Sequence, residues 1–291
     1  METTIELPIT YDISLAKKLE GHLVLIKYGG NAMVDDEVKR GVIADIVSLK
    51  KLGAVPVIVH GGGRVIKKIL DDVGLKSEFV DGHRKTDAEA MRYVEMALTG
   101  SVNSDLVKLI NATEFKAVGL SGKDGGMVVA QKRKHQITVD GETREVDLGY
   151  VGDVKSVNTD LIHTLIDANY IPVISPVSMG TDLENYNINA DMFAGHLAGA
   201  LNVNHYLALT DVDGLLKNID DPSSLVRELD LEKAESEIGN LIEGGMIPKV
   251  ESCVLALKEG VEAAHIINGT ASHSILKELL TKERAGTLIT H

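Results

Sequence analysis

The chain alternates between short apolar runs and longer stretches in which apolar residues recur at helical spacing. The first apolar run covers residues 22–27, an amphipathic stretch follows at 35–52, and a second apolar run covers 55–60. Apolar strands joined by helices are typical of parallel strands that are buried on both faces. The pattern therefore predicts an α/β fold, a three-layer αβα sandwich around a mostly parallel, open central sheet.

Residues that favour helix starts and ends lie where this alternation requires them. Asp35 and Asp36 precede an amphipathic stretch, where acidic side chains favour the start of a helix. Gly53, Gly74 and Gly260 each follow an apolar-periodic stretch, where glycine commonly ends a helix. Further strands are predicted at residues 117–120, 171–174, 206–210 and 263–267.

Two regions interrupt the alternation. Residues 135–146 form two alternating arms joined by Asp140-Gly141, a strong hairpin signal that predicts an antiparallel β-hairpin flap. Residues 178–185 are mostly polar and turn-forming. We place there the boundary between two lobes of a single domain, residues 1–179 and residues 180–291.

Composition and charge restrict the class of partner. The 291 residues are 44% hydrophobic and 25% charged, as expected for a soluble globular protein with a large core. The formal charge of −13 makes the average surface repel nucleic acid and anionic membranes, which favours a small phosphate ligand held by a few local cations. Glu2 and Glu6 lie at a start without a long apolar core, and no run approaches the roughly 18 apolar residues of a membrane helix. We therefore expect a cytoplasmic protein with neither nucleic acid nor membrane as partner.

Two glycine motifs follow predicted strands, at the sheet edge where open α/β folds bind ligands. The first is Lys27-Tyr-Gly-Gly-Asn31, in which the glycines allow backbone amides close to an anion and Lys27 adds a charge, although such a pair is also typical of a tight turn. The second, residues 59–64, presents three glycines and a helix start to negative charge. It has neither the P-loop ending nor the dinucleotide fingerprint. His60 within it is either a base or, as we favour, a structural hydrogen-bonding residue.

Three later motifs offer further polar groups. In Asn187-Ile-Asn-Ala-Asp191, either a helix is simply capped or the polar side chains bind a ligand. Residues 210–214 form an acidic turn after a strand, which either holds a nucleotide or reverses the chain. In residues 244–249, Pro248 suits the first helical turn, so Lys249 projects from a helix start, where a cation opposes the helix dipole. Lys249 is either functional or a solvated surface lysine.

Taken in this order, the motifs resemble the amino-acid kinase family, and within it the acetylglutamate kinases. The matching segments are residues 27–33, 59–63, 81–84, 187–191, 209–214 and 244–249, and the resemblance spans about residues 23–289. It implies an open αβα sandwich whose N-terminal lobe binds the acceptor and forms a homodimer, while the C-terminal lobe binds ATP with Mg²⁺. The implied reaction is ATP-dependent phosphorylation of the γ-carboxylate of N-acetyl-L-glutamate, a step toward arginine.

The resemblance also assigns roles to individual residues. The implied catalytic residues are Lys27 and Lys249, at the transferring phosphoryl group, and Asp191, which orients both lysines. Acceptor binding is implied for Gly61, Gly62, Arg84 and Asn187. Nucleotide binding is implied for Gly29, Gly30, Asn31, Thr210, Asp211, Asp213 and Lys249. No protein metal site is implied, since Mg²⁺ arrives with ATP.

One departure from the family pattern bears on the acceptor. Lys85 follows Arg84 where acetylglutamate kinases generally have valine. This keeps open a kinase for glutamate or aminoadipate attached to a carrier protein. A carbamate or nucleoside monophosphate kinase uses similar motifs, and a non-catalytic sensor of amino acid or nucleotide is the alternative from another class.

A second departure bears on regulation and assembly. The chain resembles arginine-inhibited members at His265, His273, Glu278 and Gly286, but Arg284 stands where their first glycine of Gly-x-Gly-Thr is expected. We therefore expect arginine inhibition to be weakened or absent. Hexameric members join dimers through an N-terminal helix, and residues 13–19 predict only a short one, so a homodimer is expected and a hexamer stays open.

Overall fold

The computed structural model describes residues 5–33, 35–139, 142–218, 221–240 and 242–291, with the backbone alone at residues 31, 32, 138, 139 and 142. The strands are β1 (Leu23–Tyr28), β2 (Val55–His60), β3 (Glu78–Val80), β4 (His83–Lys85), β5 (Lys116–Ser121), β6 (Val128–Lys132), β7 (His135–Val139), β8 (Glu142–Val146), β9 (Val151–Val157), β10 (Tyr170–Ser175), β11 (Val177–Gly180), β12 (Asn185–Ile188), β13 (His205–Thr210), β14 (Glu228–Asp230), β15 (Ala263–Asn268) and β16 (Thr287–Thr290).

The α-helices are α1 (Ile13–Lys18), α2 (Asp36–Lys51), α3 (Gly63–Asp72), α4 (Ala88–Glu95), α5 (Ser104–Asn111), α6 (Asp160–Asp167), α7 (Ala190–Ala200), α8 (Leu231–Ser236), α9 (Ile247–Lys258) and α10 (Ser274–Leu280). A π-helix, Met96–Asn103, joins α4 to α5. Short 3-10 helices lie at Gly30–Met33, Asp124–Gly126, Pro222–Ser224 and Gly244–Met246.

The central sheet has eight strands in the order β14-β16-β15-β13-β1-β2-β10-β5. Neighbouring strands are parallel except for the β15–β16 pair. The carboxyl ends of β1, β2 and β13 therefore meet at one edge, next to the helices that follow them. The predicted mostly parallel, open sheet is confirmed.

Helices cover both faces of this sheet, as successive side chains of a strand point to opposite faces. Leu25 and Val57 belong to the apolar cluster that includes α7 and α9. Val24, Ile26 and Ile58 belong to the cluster on the other face, with α2, α5 and α10. Each fully buried aliphatic side chain contributes about 1.5–3 kcal/mol relative to exposure, so burial on two faces explains the near-continuous apolar runs of these strands.

The helix boundaries follow the local sequence. The Asp35 side chain accepts hydrogen bonds from the amides of Glu37 and Val38 and caps α2. Gly53, Gly74 and Gly260 lie just beyond α2, α3 and α9 with positive φ angles of 87°, 78° and 107°. The predicted helix starts and ends at these positions are confirmed.

A smaller set of strands lies beside the main sheet. β6, β9, β12 and β11 close into a four-stranded barrel, and β3–β4 forms a separate hairpin. The predicted hairpin flap is confirmed as β7–β8, while its turn, Asp140-Gly141, lies outside the described residues. Residues 178–185 are not turn throughout, because β11 extends to Gly180 and β12 begins at Asn185. Within the described residues, no helix is long and apolar enough to cross a membrane.

Candidate active site

A cavity of about 430 Å³ opens at the carboxyl ends of β1 and β2. The β3–β4 hairpin, β12 and the start of α7 form its other walls. Six residues to which the resemblance gives acceptor-binding or catalytic roles line it, namely Lys27, Gly61, Gly62, Arg84, Asn187 and Asp191. Gly29 and Gly30, to which the resemblance gives a nucleotide-binding role, line the same cavity.

Two lysines converge on one buried carboxylate beside this cavity. Lys27 Nζ lies 2.7 Å from Asp191 Oδ1, and Lys249 Nζ lies 3.7 Å from Asp191 Oδ2. Lys27 is the penultimate residue of β1, Asp191 lies in the first turn of α7, and Lys249 lies in the first turn of α9. The Asn189 side chain caps α7 by accepting from the amides of Asp191 and Met192, which holds the carboxylate at the helix start.

Charge explains the protonation of this trio. Burial opposes ionisation of Asp191, which is 6% exposed, but the Lys27 and Lys249 charges outweigh it and hold the pKa of Asp191 below its ordinary value. Burial lowers the pKa of Lys249, and the Lys27 charge adds to this, while Asp191 and Asp211 oppose it. The trio therefore presents an ionised carboxylate between two lysines.

The two glycine loops lie against each other next to Lys27. A Cβ atom at Gly29 would lie 3.3 Å from Lys27 Nζ and 3.7 Å from the Gly61 amide nitrogen, so a side chain there would crowd the lysine. Gly30 has a positive φ of 70°, which favours glycine. The Gly61 amide donates to the Tyr28 carbonyl over 2.8 Å, so this amide, assigned by resemblance to the acceptor, is engaged within the chain.

His60 is a structural residue, as we favoured from the sequence. It is fully buried, its Nδ1 lies 2.9 Å from the Gly61 carbonyl oxygen, and its Nε2 lies 3.0 Å from Asn103 Nδ2. Asn103 belongs to the π-helix and was missed in the sequence, since an asparagine in a helical stretch carries no local signal of this contact.

Arg84 lines the same cavity as Lys27 and Asp191, from β4. Its Nη2 donates to the Gly63 carbonyl over 3.1 Å, its Nη1 donates to Ser77 Oγ, and its guanidinium lies 4.6 Å from the centre of the Phe79 ring. Lys85 follows on the same strand and therefore points the other way, where its Nζ lies 3.8 Å from Glu78 Oε2. The structure thus separates the two cations, and Lys85 does not line the cavity.

The predicted nucleotide residues fall into two places. Gly29 and Gly30 line the cavity at the ends of β1 and β2, whereas Thr210, Asp211 and Asp213 follow β13. Val212 and Gly214 in that turn line a second cavity of about 420 Å³, which also borders the loop before α9. The side chain of Asn31 lies outside the described residues. Asp213 Oδ1 accepts from Asn268 Nδ2 over 2.8 Å, which ties the acidic turn to the end of β15.

The four residues of the possible arginine site do not form one cluster of contacts. Glu278 accepts from His265 Nδ1 and from the Gly286 amide, each over 2.8 Å, and is 2% exposed. His273 instead contacts Asp45 Oδ1 over 2.8 Å, beside a separate cavity of about 410 Å³. Arg284 forms an ion pair with Glu228 on the neighbouring strand β14.

Comparison with known proteins gives the family. The profile of the Amino acid kinase family matches residues 22–268. The chain belongs to this family. It is 46% identical to the acetylglutamate kinase of Methanococcus aeolicus over 94% of this chain and 93% of that protein. It is 47% identical to the acetylglutamate kinase of Thermoanaerobacter pseudethanolicus over 94% of this chain and 89% of that protein.

A solved structure shares the fold. The N-acetylglutamate synthase of Neisseria gonorrhoeae, complexed with coenzyme A and N-acetyl-glutamate, superposes with a TM-score of 0.82 at 22% identity. The match covers 96% of this chain but 62% of the synthase chain. At this identity the likeness bears on the fold alone, and it agrees with the family assignment.

Proposed function

We propose that this chain transfers the γ-phosphoryl group of ATP to the side-chain carboxylate of N-acetyl-L-glutamate. The observation on which the proposal depends is the trio of Lys27, Asp191 and Lys249, in which the first two are buried, at the edge of a cavity that Arg84 also lines. The acetylglutamate kinases to which the chain is similar over 94% of its length support the choice of acceptor.

This reaction requires the protein to neutralise negative charge and does not require it to transfer a proton. A carboxylate is already a competent nucleophile, so no general base is needed. The difficulty is that an anionic acceptor has to approach an anionic phosphate. Catalysis of such a transfer consists mainly of positioning and of electrostatic stabilisation of the charge on the equatorial oxygens.

The trio of Lys27, Asp191 and Lys249 supplies that stabilisation. Lys27, on the acceptor side, and Lys249, beside the nucleotide turn, direct their ammonium groups to a common region around Asp191. Asp191 offsets the repulsion between the two cations and keeps the pKa of Lys249 from falling further. Both lysines thereby stay available as hydrogen-bond donors to the transferred group.

The cavity at the carboxyl ends of β1 and β2, called the acceptor cavity below, suits a small dicarboxylate derivative. Arg84 offers a planar fork of donors that matches the α-carboxylate better than a lysine does. The side chain of Asn187 lines the same cavity and is suited to the acetamido group, while Val151 and Ile188 provide apolar surface for the methylene and methyl groups. The Gly62 amide, at the start of α3, is directed to the reacting carboxylate.

Nucleotide binding is assigned to the second cavity. Mg²⁺ carried by ATP neutralises phosphate charge when it is bound. Asp211 lies near enough to Lys249 to raise its pKa, so the acidic turn and the cation belong to one electrostatic unit. This unit fits a metal–triphosphate, which brings both positive and negative charge to the same place.

We also propose a homodimer rather than a hexamer. Helix α1 has six residues and packs on α10 of its own chain, where the Asp12 amide donates to the Leu280 carbonyl over 2.8 Å. A helix held in this way is poorly placed to join dimers. Light scattering on the purified chain tests the assembly, and a mass six times that of one chain would contradict it.

The proposed activity is tested by trapping acyl phosphate with hydroxylamine. N-acetyl-L-glutamate is compared with glutamate, aspartate, carbamate and UMP in the presence of ATP and Mg²⁺. We expect a clear preference for N-acetyl-L-glutamate. Turnover of carbamate or UMP in its place, or ATP binding without turnover of any acceptor, would overturn the proposal.

A further inference from the structure

Asn103 joins three strands of the central sheet from the last position of the π-helix. Its Nδ2 lies 2.9 Å from the Val173 carbonyl oxygen of β10, 3.3 Å from the Leu120 carbonyl oxygen of β5 and 3.0 Å from His60 Nε2 of β2. The residue is 6% exposed. A π-helix inside a helical stretch often marks a functional position, because the wider turn redirects one side chain.

The orientation of this amide is determined by its partners. Carbonyl oxygens only accept hydrogen bonds, so the amide nitrogen of Asn103, and not its oxygen, has to face Val173 and Leu120. The oxygen occupies space left by Gly119, where a Cβ atom would lie 2.0 Å from Asn103 Oδ1. Exchange of the two amide atoms would place oxygen against two carbonyl oxygens.

This orientation selects the tautomer of His60. The Asn103 nitrogen has two N–H groups, and its two nearest acceptors are the Val173 carbonyl oxygen and His60 Nε2, so His60 Nε2 accepts and has no proton. The proton of the neutral ring is then on Nδ1, which donates to the Gly61 carbonyl over 2.9 Å. Burial lowers the pKa of His60 to about 4, the Gly61 carbonyl opposes this, and no charged side chain contributes, so the ring is neutral near pH 7.

The Gly61 carbonyl determines the direction of the next amide. The carbonyl of Gly61 and the N–H of Gly62 belong to one planar trans peptide and point in opposite directions. Since His60 holds this carbonyl on the buried side, the Gly62 amide is directed away from it. Gly62 lines the acceptor cavity, and a Cβ atom there would lie 2.8 Å from Leu98 Cδ2, so a side chain at this position would crowd the cavity wall.

We propose that Asn103 is a positioning residue for the acceptor carboxylate. It acts through the His60 tautomer and the Gly61 carbonyl on the direction of the Gly62 amide. The proposal rests on the proposed function in one respect, the assignment of the Gly62 amide to the acceptor. It predicts that loss of the Asn103 donor raises the KM for the acceptor and leaves the KM for ATP almost unchanged.

Asn103→Asp is the informative variant, because an ionised aspartate has the same shape but cannot donate. Its oxygen also faces the Val173 and Leu120 carbonyl oxygens, so the variant should be less stable than the wild-type chain. Its carboxylate accepts from His60 Nε2, so the neutral ring moves its proton to Nε2 and Nδ1 no longer donates to Gly61. We expect the KM for N-acetyl-L-glutamate to rise about three- to tenfold at pH 8, the value of one lost hydrogen bond. The new carboxylate raises the pKa of His60, and protonation restores the Nδ1 donor, so this KM should fall again as the pH is lowered.

Asn111→Asp is the matched control. Asn111 ends the following helix α5 and binds the backbone of the same strand β5 at its other end, where its Oδ1 accepts from the Ala117 amide over 2.7 Å. Because a carboxylate still accepts from the Ala117 amide, the control should change neither KM nor the pH profile of KM. The proposal would be overturned if the two variants had equal effects on the KM for N-acetyl-L-glutamate. It would also be overturned if this KM had the same pH dependence in Asn103→Asp as in the wild-type chain.

A second pair of variants keeps the proposal testable if Asn103→Asp does not fold. His60→Asn places an amide donor near the position of Nδ1 and should keep the KM for the acceptor close to the wild-type value. His60→Leu removes the donor and should raise this KM about three- to tenfold. Equal KM values for both would contradict the mechanism. Nitrogen-15 NMR of the wild-type ring reports the Nδ1–H tautomer without any turnover, so failure of this inference is distinguished from failure of the proposed activity.

Discussion

Lys27 and Asp191 form a buried ion pair, with 2.7 Å between Nζ and Oδ1, although one residue lies on β1 and the other at the start of α7. Both side chains are more than nine-tenths buried. Charges buried in this way are costly unless they are paired, and loss of one partner typically costs about 3–5 kcal/mol. The third member, Lys249, makes the group net cationic, which suits a region where a phosphoryl group passes.

Replacement of Lys27 by methionine should impair catalysis more than binding. We expect kcat to fall about 10²- to 10³-fold, because a preorganised donor to the transferred group is lost, with little change in either KM. Initial rates of acyl-hydroxamate formation measure this effect. Lys39→Met is the matched control, since Lys39 is also largely buried and pairs with Asp105 over 2.6 Å, outside the site. A comparable loss of kcat in the control would contradict the assignment.

Replacement of Asp191 by asparagine should shift the alkaline limb of the plot of kcat against pH to lower pH. The pKa of Lys249 already lies below its ordinary value because of burial, and the Asp191 charge opposes that shift. Without this charge the pKa of Lys249 falls further, so activity should decline at lower pH than in the wild-type chain. An unchanged or upward-shifted alkaline limb would argue against Lys249 as a charged catalytic group.

The same substitution should affect stability in a pH-dependent way. The pKa of Asp191 in the folded chain lies below its ordinary value near 3.8, so the stabilisation by its lysine partners is present above that value. It is lost as the pH falls through the lower, folded pKa. The melting-temperature difference between wild type and Asp191→Asn should therefore be constant above about pH 5 and shrink below about pH 4. A difference that persists unchanged at pH 3 would contradict this.

Arg84→Lys should weaken acceptor binding selectively. Lysine cannot reproduce both the planar fork and the stacking over Phe79, so we expect the KM for N-acetyl-L-glutamate to rise about tenfold or more, with the KM for ATP unchanged. Lys85→Val is the control from the neighbouring residue that faces outward. Because Lys85 does not line the cavity, this variant should keep the same acceptor preference. A change of preferred acceptor in Lys85→Val would revive the carrier-protein alternative.

Arginine should inhibit weakly or not at all. Both carboxylate oxygens of Glu278 are already engaged, by His265 and by the Gly286 amide. Arg284 adds a guanidinium next to this region, where it pairs with Glu228. An arginine titration of the forward reaction measures the effect, and half-inhibition in the micromolar range would refute the expectation. Arg284→Gly tests the cause, since it should increase sensitivity if Arg284 is responsible.

The local sequence pattern was sufficient to predict those strands and helix starts that depend on the burial and hydrogen bonding of a few neighbouring residues. The strands β1, β2 and β13 were predicted because their residues are apolar on both faces. A capped helix was one of two interpretations of residues 187–191, and the structure shows that Asn189 caps α7. The strands β6, β9, β11 and β12 were missed, since they pair with one another in a closed barrel apart from the main sheet and lack its continuous apolar runs. The prediction of turn across residues 178–185 was wrong at both ends, because strands β11 and β12 of this barrel extend into that range.

The sequence by itself determined the α/β architecture, the positions of the glycine loops and the presence of two lysines and a carboxylate suited to phosphoryl transfer. Only the tertiary structure decided that Lys27, Asp191 and Lys249 meet, that Lys85 points away from Arg84, and that Asn103 contacts His60. The physical reason is that each of these contacts joins different strands and helices. Their distances depend on strand order and on packing between layers, which the local spacing of residues does not specify.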